Sequence, residues 1–251
     1  MTPRRRLSAL LGGLLAAQGA ISPAPACPAP RPAGLLPPEA LPMAHPWPEW
    51  MDFVNALSAQ LRTADVARVQ LVFLGDSLLF AFTPELFSHF YGHRRALNLA
   101  IPGDTTATLL WRLERGHWPA ALRPRLVVLL IGTNNAARDA RPENTAQGIV
   151  QIMHDIRRRS PHSRILLLAL LPRGADGNDA ARAANDQVND LLRSCADGQR
   201  VFWLDPGRAL LNGEGQLPLL FAYDRLHLTP LGYAVLAAGM EGAIRQLLGE
   251  R

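Results

Sequence analysis

Four short stretches of this chain bring together a nucleophile, an imidazole, a carboxylate and neutral hydrogen-bond donors. Gly75-Asp76-Ser77 offers a hydroxyl after a glycine that permits a tight turn. Asp224-Arg225-Leu226-His227 sets a carboxylate and an imidazole three residues apart, so Asp224 can hold one ring nitrogen while the other takes a hydroxyl proton. Gly103 can carry a bare backbone N–H close to a ligand, and Asn134, within Gly132-Thr133-Asn134-Asn135, supplies a neutral amide. Such a set suits acyl transfer through Ser77. Negative charge builds on a carbonyl oxygen as the hydroxyl attacks, and losing one neutral donor to it typically costs about 100- to 1000-fold in rate. Each stretch alone has a plain alternative: Gly-Asp-Ser as turn and helix cap, Asn134 as a turn residue, His227 as a structural histidine.

The surrounding pattern decides where these residues fall. Short apolar runs at 69–74, 96–99, 126–131, 165–170 and 201–204 alternate with amphipathic stretches at 49–61, 83–91, 106–114, 144–159, 180–196 and 230–248. Strands apolar throughout and separated by helices predict a parallel sheet covered on both faces. Right-handed crossovers then give a three-layer α/β/α sandwich with a five-stranded parallel sheet, doubly wound and flavodoxin-like. Sites of such sheets lie at the carboxyl ends of the strands, where Ser77, Gly103 and Asn134 each follow an apolar run. Thr229 and Pro230 mark the start of the last helix, which leaves His227 on a loop. Asp104 or Thr105 reads as the cap of the helix at 106–114, and Trp111 and Leu113 as core or interface.

Taken in order, Gly75-Asp76-Ser77, Gly103, Asn134 and Asp224-x-x-His227 resemble the SGNH/GDSL hydrolase superfamily. The stretches Gly103-Asp104-Thr105-Thr106, Leu110-Trp111-Arg112-Leu113-Glu114, Leu170-Leu171-Pro172-Arg173-Gly174 and Leu226-His227-Leu228 look like the Ib-type catalytic subunits of platelet-activating-factor acetylhydrolase. The resemblance covers roughly Trp47 to Leu248. It implies an esterase with nucleophile Ser77, base His227 and acid Asp224, and an oxyanion hole of the Ser77 N–H, the Gly103 N–H and the Asn134 side chain. It also implies that Leu78, Thr133 and Leu226, beside the reacting carbonyl, restrict the acyl pocket to short chains. No cofactor and no metal are expected: the sequence has no P-loop, no His-Glu-x-x-His and no paired-cysteine zinc spacing. The substrate classes left open are an acetylated glycan, a lysophospholipid-like or thioester substrate and a small acetyl ester. A noncatalytic glycan-binding domain is the alternative of another kind.

Composition sets the outer limits. The chain has 251 residues, 48% hydrophobic and 19% charged, enough for one substantial domain with an appendage. All 26 basic residues are arginine, yet residues 1–20 hold three of them and no acid, so the net charge of +5 becomes +2 without that stretch. With no basic stripe interleaved with aromatics, no nucleic-acid partner is expected; a homodimer is compatible with the sequence. Residues 1–20 read as a signal peptide, with Arg4, Arg5 and Arg6, then an apolar run, then small residues, and the protein is expected to be exported. The cytoplasmic subunits it resembles carry no such signal. Residues 21–48, with ten prolines, read as an extended linker, and 49–251 as the hydrolase domain. The two cysteines form no C-x-x-C; Cys195 reads as a small buried residue, and Cys27 as a lipid-attachment site in the alternative of cleavage after Ala26.

Overall fold

The computed structural model describes residues 26–29 and 31–250; the expected signal peptide lies outside them. Five strands, β1 (Leu71–Gly75), β2 (Ala96–Asn98), β3 (Leu126–Leu130), β4 (Arg164–Leu168) and β5 (Val201–Leu204), form one sheet in the order β2-β1-β3-β4-β5, with every pairing parallel. Every residue of β1 and β3 is buried, which is why these strands are apolar without alternation. The helices are α1 (Trp50–Thr63), α2 (Ser77–Phe80), α3 (Pro84–Tyr91), α4 (Thr106–Glu114), α5 (Thr133–Ala136), α6 (Pro142–Arg159), α7 (Ala180–Arg193) and α8 (Pro230–Leu248). α4, α6 and α7 pack side by side, and α3 packs against α8, so helices cover the sheet as the three-layer expectation requires.

The chain leaves β1 toward β2 on one side and returns to β3 on the other. The crevice at that reversal is where doubly wound sheets bind ligands. Gly75 stands at its edge, opposite Leu130 in the register. A Cβ there would lie 2.1 Å from the Leu130 carbonyl oxygen, so only glycine lets the two strand ends approach this closely. The loops after β1 and β3 each tighten into one turn of helix, α2 and α5. These were not expected from periodicity, because four residues are too few to show it. α6 starts at Pro142, two residues before the expected position, since proline suits a first helical turn.

Two readings of the N-terminal region are corrected. The stretch expected to be an extended linker docks on the domain from residue 29 onward: Gln147 donates to the Ala29 carbonyl, Thr106 to that of Glu39, and the Met43 N–H to that of Ala107. Ala40 is buried beneath a short 3-10 turn, Pro38–Ala40. Proline richness here preshapes a strap with few free dihedrals. Cys27 and Cys195 are joined in a disulfide across 168 residues of sequence. The Cys27 thiol is therefore not available for a lipid, and Cys195 is a bridge as well as a buried residue. Closing so long a loop restricts the unfolded chain, and bridges of this kind typically contribute about 2–4 kcal/mol.

Candidate active site

Ser77 begins α2 directly after the Gly75 turn, and the Asp76 side chain caps that helix by accepting from the Leu78 N–H at 3.0 Å. The imidazole comes from the loop before α8. There Asp224 folds the chain around its own carboxylate: Oδ1 accepts from the backbone N–H of Leu226 at 3.0 Å and of His227 at 2.6 Å, with Arg225 left-handed at φ 65°. Oδ2 meets His227 Nδ1 at 2.7 Å. A carboxylate takes the proton-bearing side of the ring, so the lone pair of Nε2 faces outward, and it lies 3.1 Å from Ser77 Oγ. Burial works to raise the Asp224 carboxyl, yet the His227 ring and the N–H groups of His227 and Leu226 hold it below the usual carboxylate range. Three residues expected to cooperate are thus joined by two hydrogen bonds.

The other expected oxyanion donors lie on the segments that follow β2 and β3. Gly103 has φ +79°, a conformation that favours glycine. Among the described residues, neither the Ser77 N–H nor the Gly103 N–H donates to a protein acceptor. Asn134, half-buried in α5, gives one amide hydrogen to the Asp104 carbonyl at 2.9 Å, leaving the second free. Unsatisfied donors at one edge of a sheet are suited to developing negative charge.

Asp104 is not the helix cap. Thr105 caps α4 and pairs reciprocally with Thr108, while Asp104 is fully buried. Its carboxylate takes Trp50 Nε1 at 3.0 Å, the Thr108 hydroxyl at 2.9 Å and Arg112 Nε at 2.6 Å. Arg112, equally buried, reaches the Gly75 carbonyl at 3.3 Å. One ionic node therefore ties the glycine ahead of the nucleophile to the loop bearing Gly103 and to Asn134. The signal that could have found it is spacing: Asp104 and Arg112 are eight residues apart, about two helical turns.

The three residues expected around the acyl group lie deeper than open pocket walls. Leu78 and Thr133 are both 1% exposed, and Leu226 is half-buried against the core. The Thr133 hydroxyl accepts from Arg173 at 3.1 Å and from Asn185 at 3.2 Å, and Arg173 also holds the Thr133 carbonyl. Arg173 thus positions α5, a part that spacing alone did not reveal. Sequence reasoning also missed His45 and Trp47, which the docked strap brings against Gly103; a Cβ on Gly103 would lie 3.6 Å from each.

Asp76 carries a consequence for stability. It is 1% exposed, and among the described residues its Oδ2 has no hydrogen-bond partner. Burial pushes its carboxyl up to about 7 despite the Leu78 N–H, and the nearby Asp104 carboxylate adds to the rise. The folded protein then keeps this proton to about pH 7 while the unfolded chain releases it near 3.8, so stability falls as pH rises through that window. Asp76→Asn has no proton to lose and retains the capping oxygen. Its Tm relative to wild type is expected to rise at pH 8 and to change little at pH 4; a difference independent of pH would contradict this ionisation.

The GDSL-like Lipase/Acylhydrolase family matches residues 73–235. The chain is 36% identical over 183 residues to platelet-activating factor acetylhydrolase IB subunit alpha1 of Homo sapiens, covering 72% of this chain and 78% of that one. It is 36% identical over 182 residues to the alpha2 subunit of Bos taurus, with the same coverage of 72% and 78%. Among solved structures it is similar in fold to a GDSL-like lipase from Bacteroides thetaiotaomicron, with a TM-score of 0.63, 18% identity, and 78% of this chain and 97% of that one covered. It is also similar in fold to Axe2, an acetylxylan esterase from Geobacillus stearothermophilus, with a TM-score of 0.56, 19% identity, and coverage of 73% and 97%.

Proposed function

Since this chain belongs to the GDSL-like lipase/acylhydrolase family and is an ester hydrolase, we propose that it works as a serine esterase on short-chain, acetyl-type esters, through an acyl-enzyme on Ser77. The observation that carries this reading is the hydrogen-bonded line from Ser77 Oγ through His227 to Asp224, at 3.1 and 2.7 Å. His227 Nε2 takes the Ser77 proton as Oγ bonds to the carbonyl carbon. The oxyanion is held by the N–H groups of Ser77 and Gly103 and by Asn134 Nδ2. Collapse of this intermediate breaks the bond to the alcohol oxygen, which leaves with the proton from His227. Water then attacks the acyl-Ser77, again giving its proton to His227, and the second collapse frees the carboxylic acid and returns that proton to Ser77.

Acetyl preference is supported by the 36% identity to the acetylhydrolase subunits and by the tight packing of Leu78 and Thr133, next in sequence to Ser77 and Asn134, against which added methylenes would press. A longer acyl chain has one observation in its favour: an apolar cleft of about 480 Å³ lined by Phe53, Leu57, Phe80, Ala100 and Ile101. A fluorophosphonate is expected to label Ser77 in wild type and nothing in Ser77→Ala, and aryl acetate to be cleaved faster than aryl octanoate. Absence of labelling would refute the serine mechanism; faster octanoate cleavage would refute only the acetyl preference.

The same reading places the enzyme outside the cytoplasm, supported by the leader-like residues 1–20 and by a disulfide that persists in oxidising compartments. Protein secreted from a bacterial host is expected to lack residues 1–20 and to contain Cys27–Cys195. Full-length cytosolic protein with free thiols would contradict export.

A further inference from the structure

An exposed aromatic of the strap stands against Gly103, a candidate oxyanion donor. Trp47 is 54% exposed, and its indole lies 5.8 Å from the His45 ring, centroid to centroid. Its backbone N–H donates to His45 Nδ1 at 3.0 Å, and the His45 ring stacks on buried Trp50 with centroids 5.7 Å apart. Trp50 in turn packs against Trp111 at 5.5 Å and donates to Asp104. Behind the strap stand its bonds to Thr106 and Ala107 and the Cys27–Cys195 bridge. An indole prearranged in this way loses little freedom when something binds on it.

A further polar group stands beside His45: Arg138 Nη2 lies 2.5 Å from His45 Nε2, and among the described residues its exposed guanidinium has no carboxylate partner. A flat apolar face edged by hydrogen-bonding groups matches a sugar ring, which has an apolar C–H face and a rim of hydroxyls. An alkyl chain would instead gain most from the cleft of Phe53, Leu57 and Phe80, which has no such polar rim beyond Gln60 and Asn98.

We propose that Trp47 is a stacking platform for a sugar ring in the alcohol portion of the ester, and that the substrates are acetylated carbohydrates. The proposal rests on the serine-esterase reading above. Trp47 stands against Gly103, one of the candidate oxyanion donors, so a sugar ring stacked on the indole would lie beside the loop that carries that donor.

The test compares wild type, Trp47→Ala and Trp47→Phe on 4-nitrophenyl acetate and on an acetylated xylo-oligosaccharide, with Tm as a check on folding. Calorimetry follows binding of the same oligosaccharide to Ser77→Ala with and without Trp47→Ala. The ratio of kcat/KM on oligosaccharide to that on aryl acetate is expected to fall about tenfold in Trp47→Ala, mainly through KM, and to be largely kept in Trp47→Phe. Binding to the Ser77→Ala protein is expected to weaken by a similar factor. An unchanged ratio overturns the proposal. So does a wild type that cleaves aryl acetate but neither binds nor cleaves the oligosaccharide, which leaves the esterase reading intact. A wild type inactive on both substrates defeats the esterase reading instead, and the calorimetric comparison still decides the role of Trp47.

Discussion

Ser77→Ala is expected to lower kcat on aryl acetate by at least about 1000-fold while leaving Tm close to wild type. The reason lies in position. Ser77 is half-buried at the sheet edge, and the side chain of its partner His227 is 31% exposed, so removing one hydroxyl opens no core cavity. It does remove the atom that bonds to the acyl carbon, which no neighbour can replace. His227→Ala is expected to match it in size, and the double variant to be little worse than either, because nucleophile and base act as a unit. Residual turnover above about 1% of wild type in Ser77→Ala, measured after excluding contaminating host esterase, would remove Ser77 from the mechanism.

The second large effect is expected at the buried ion pair. Asp104→Ala leaves the Arg112 guanidinium in a site where it is 0% exposed, with the Gly75 carbonyl as its remaining partner and Nη1 already unpartnered. Breaking a buried pair from one side typically costs about 3–5 kcal/mol, far more than the net worth of the pair, because the surviving charge is stranded. Denaturant unfolding is expected to show a loss of that order. Activity is expected to fall as well, since the same node fixes the carbonyl that holds Asn134. Asp104→Ala combined with Arg112→Met is expected to recover part of the stability, because no charge then remains buried. A loss below about 1 kcal/mol in Asp104→Ala would show that water or another group solvates Arg112 and that the node is not the clamp described here.

The order of elements, the parallel sheet and the pairing of Asp224 with His227 were legible in the sequence for a local reason. Buried parallel strands must be apolar along their length, and Thr229-Pro230 can start a helix whatever lies opposite. Asp224 and His227 sit in one turn, so their pairing is encoded within four residues. What the tertiary structure decided depends on partners that local pattern does not report. Cys27 finds Cys195 across 168 residues only because the proline-rich strap returns along α6. Asp104 and Thr105 carry the same capping signal, and burial beside Arg112 and Trp50 makes the first an ionic node while the second remains the cap. Leu78 and Thr133 flank the reacting groups in sequence, yet the helical turns α2 and α5 bury their side chains in the fold. Trp47 gains its place beside Gly103 from contacts made by residues 29–50, whose composition by itself describes only a stiff and polar-poor stretch. Local sequence determines periodicity and turn geometry; which distant group fills the space opposite a given side chain is settled by packing the whole chain.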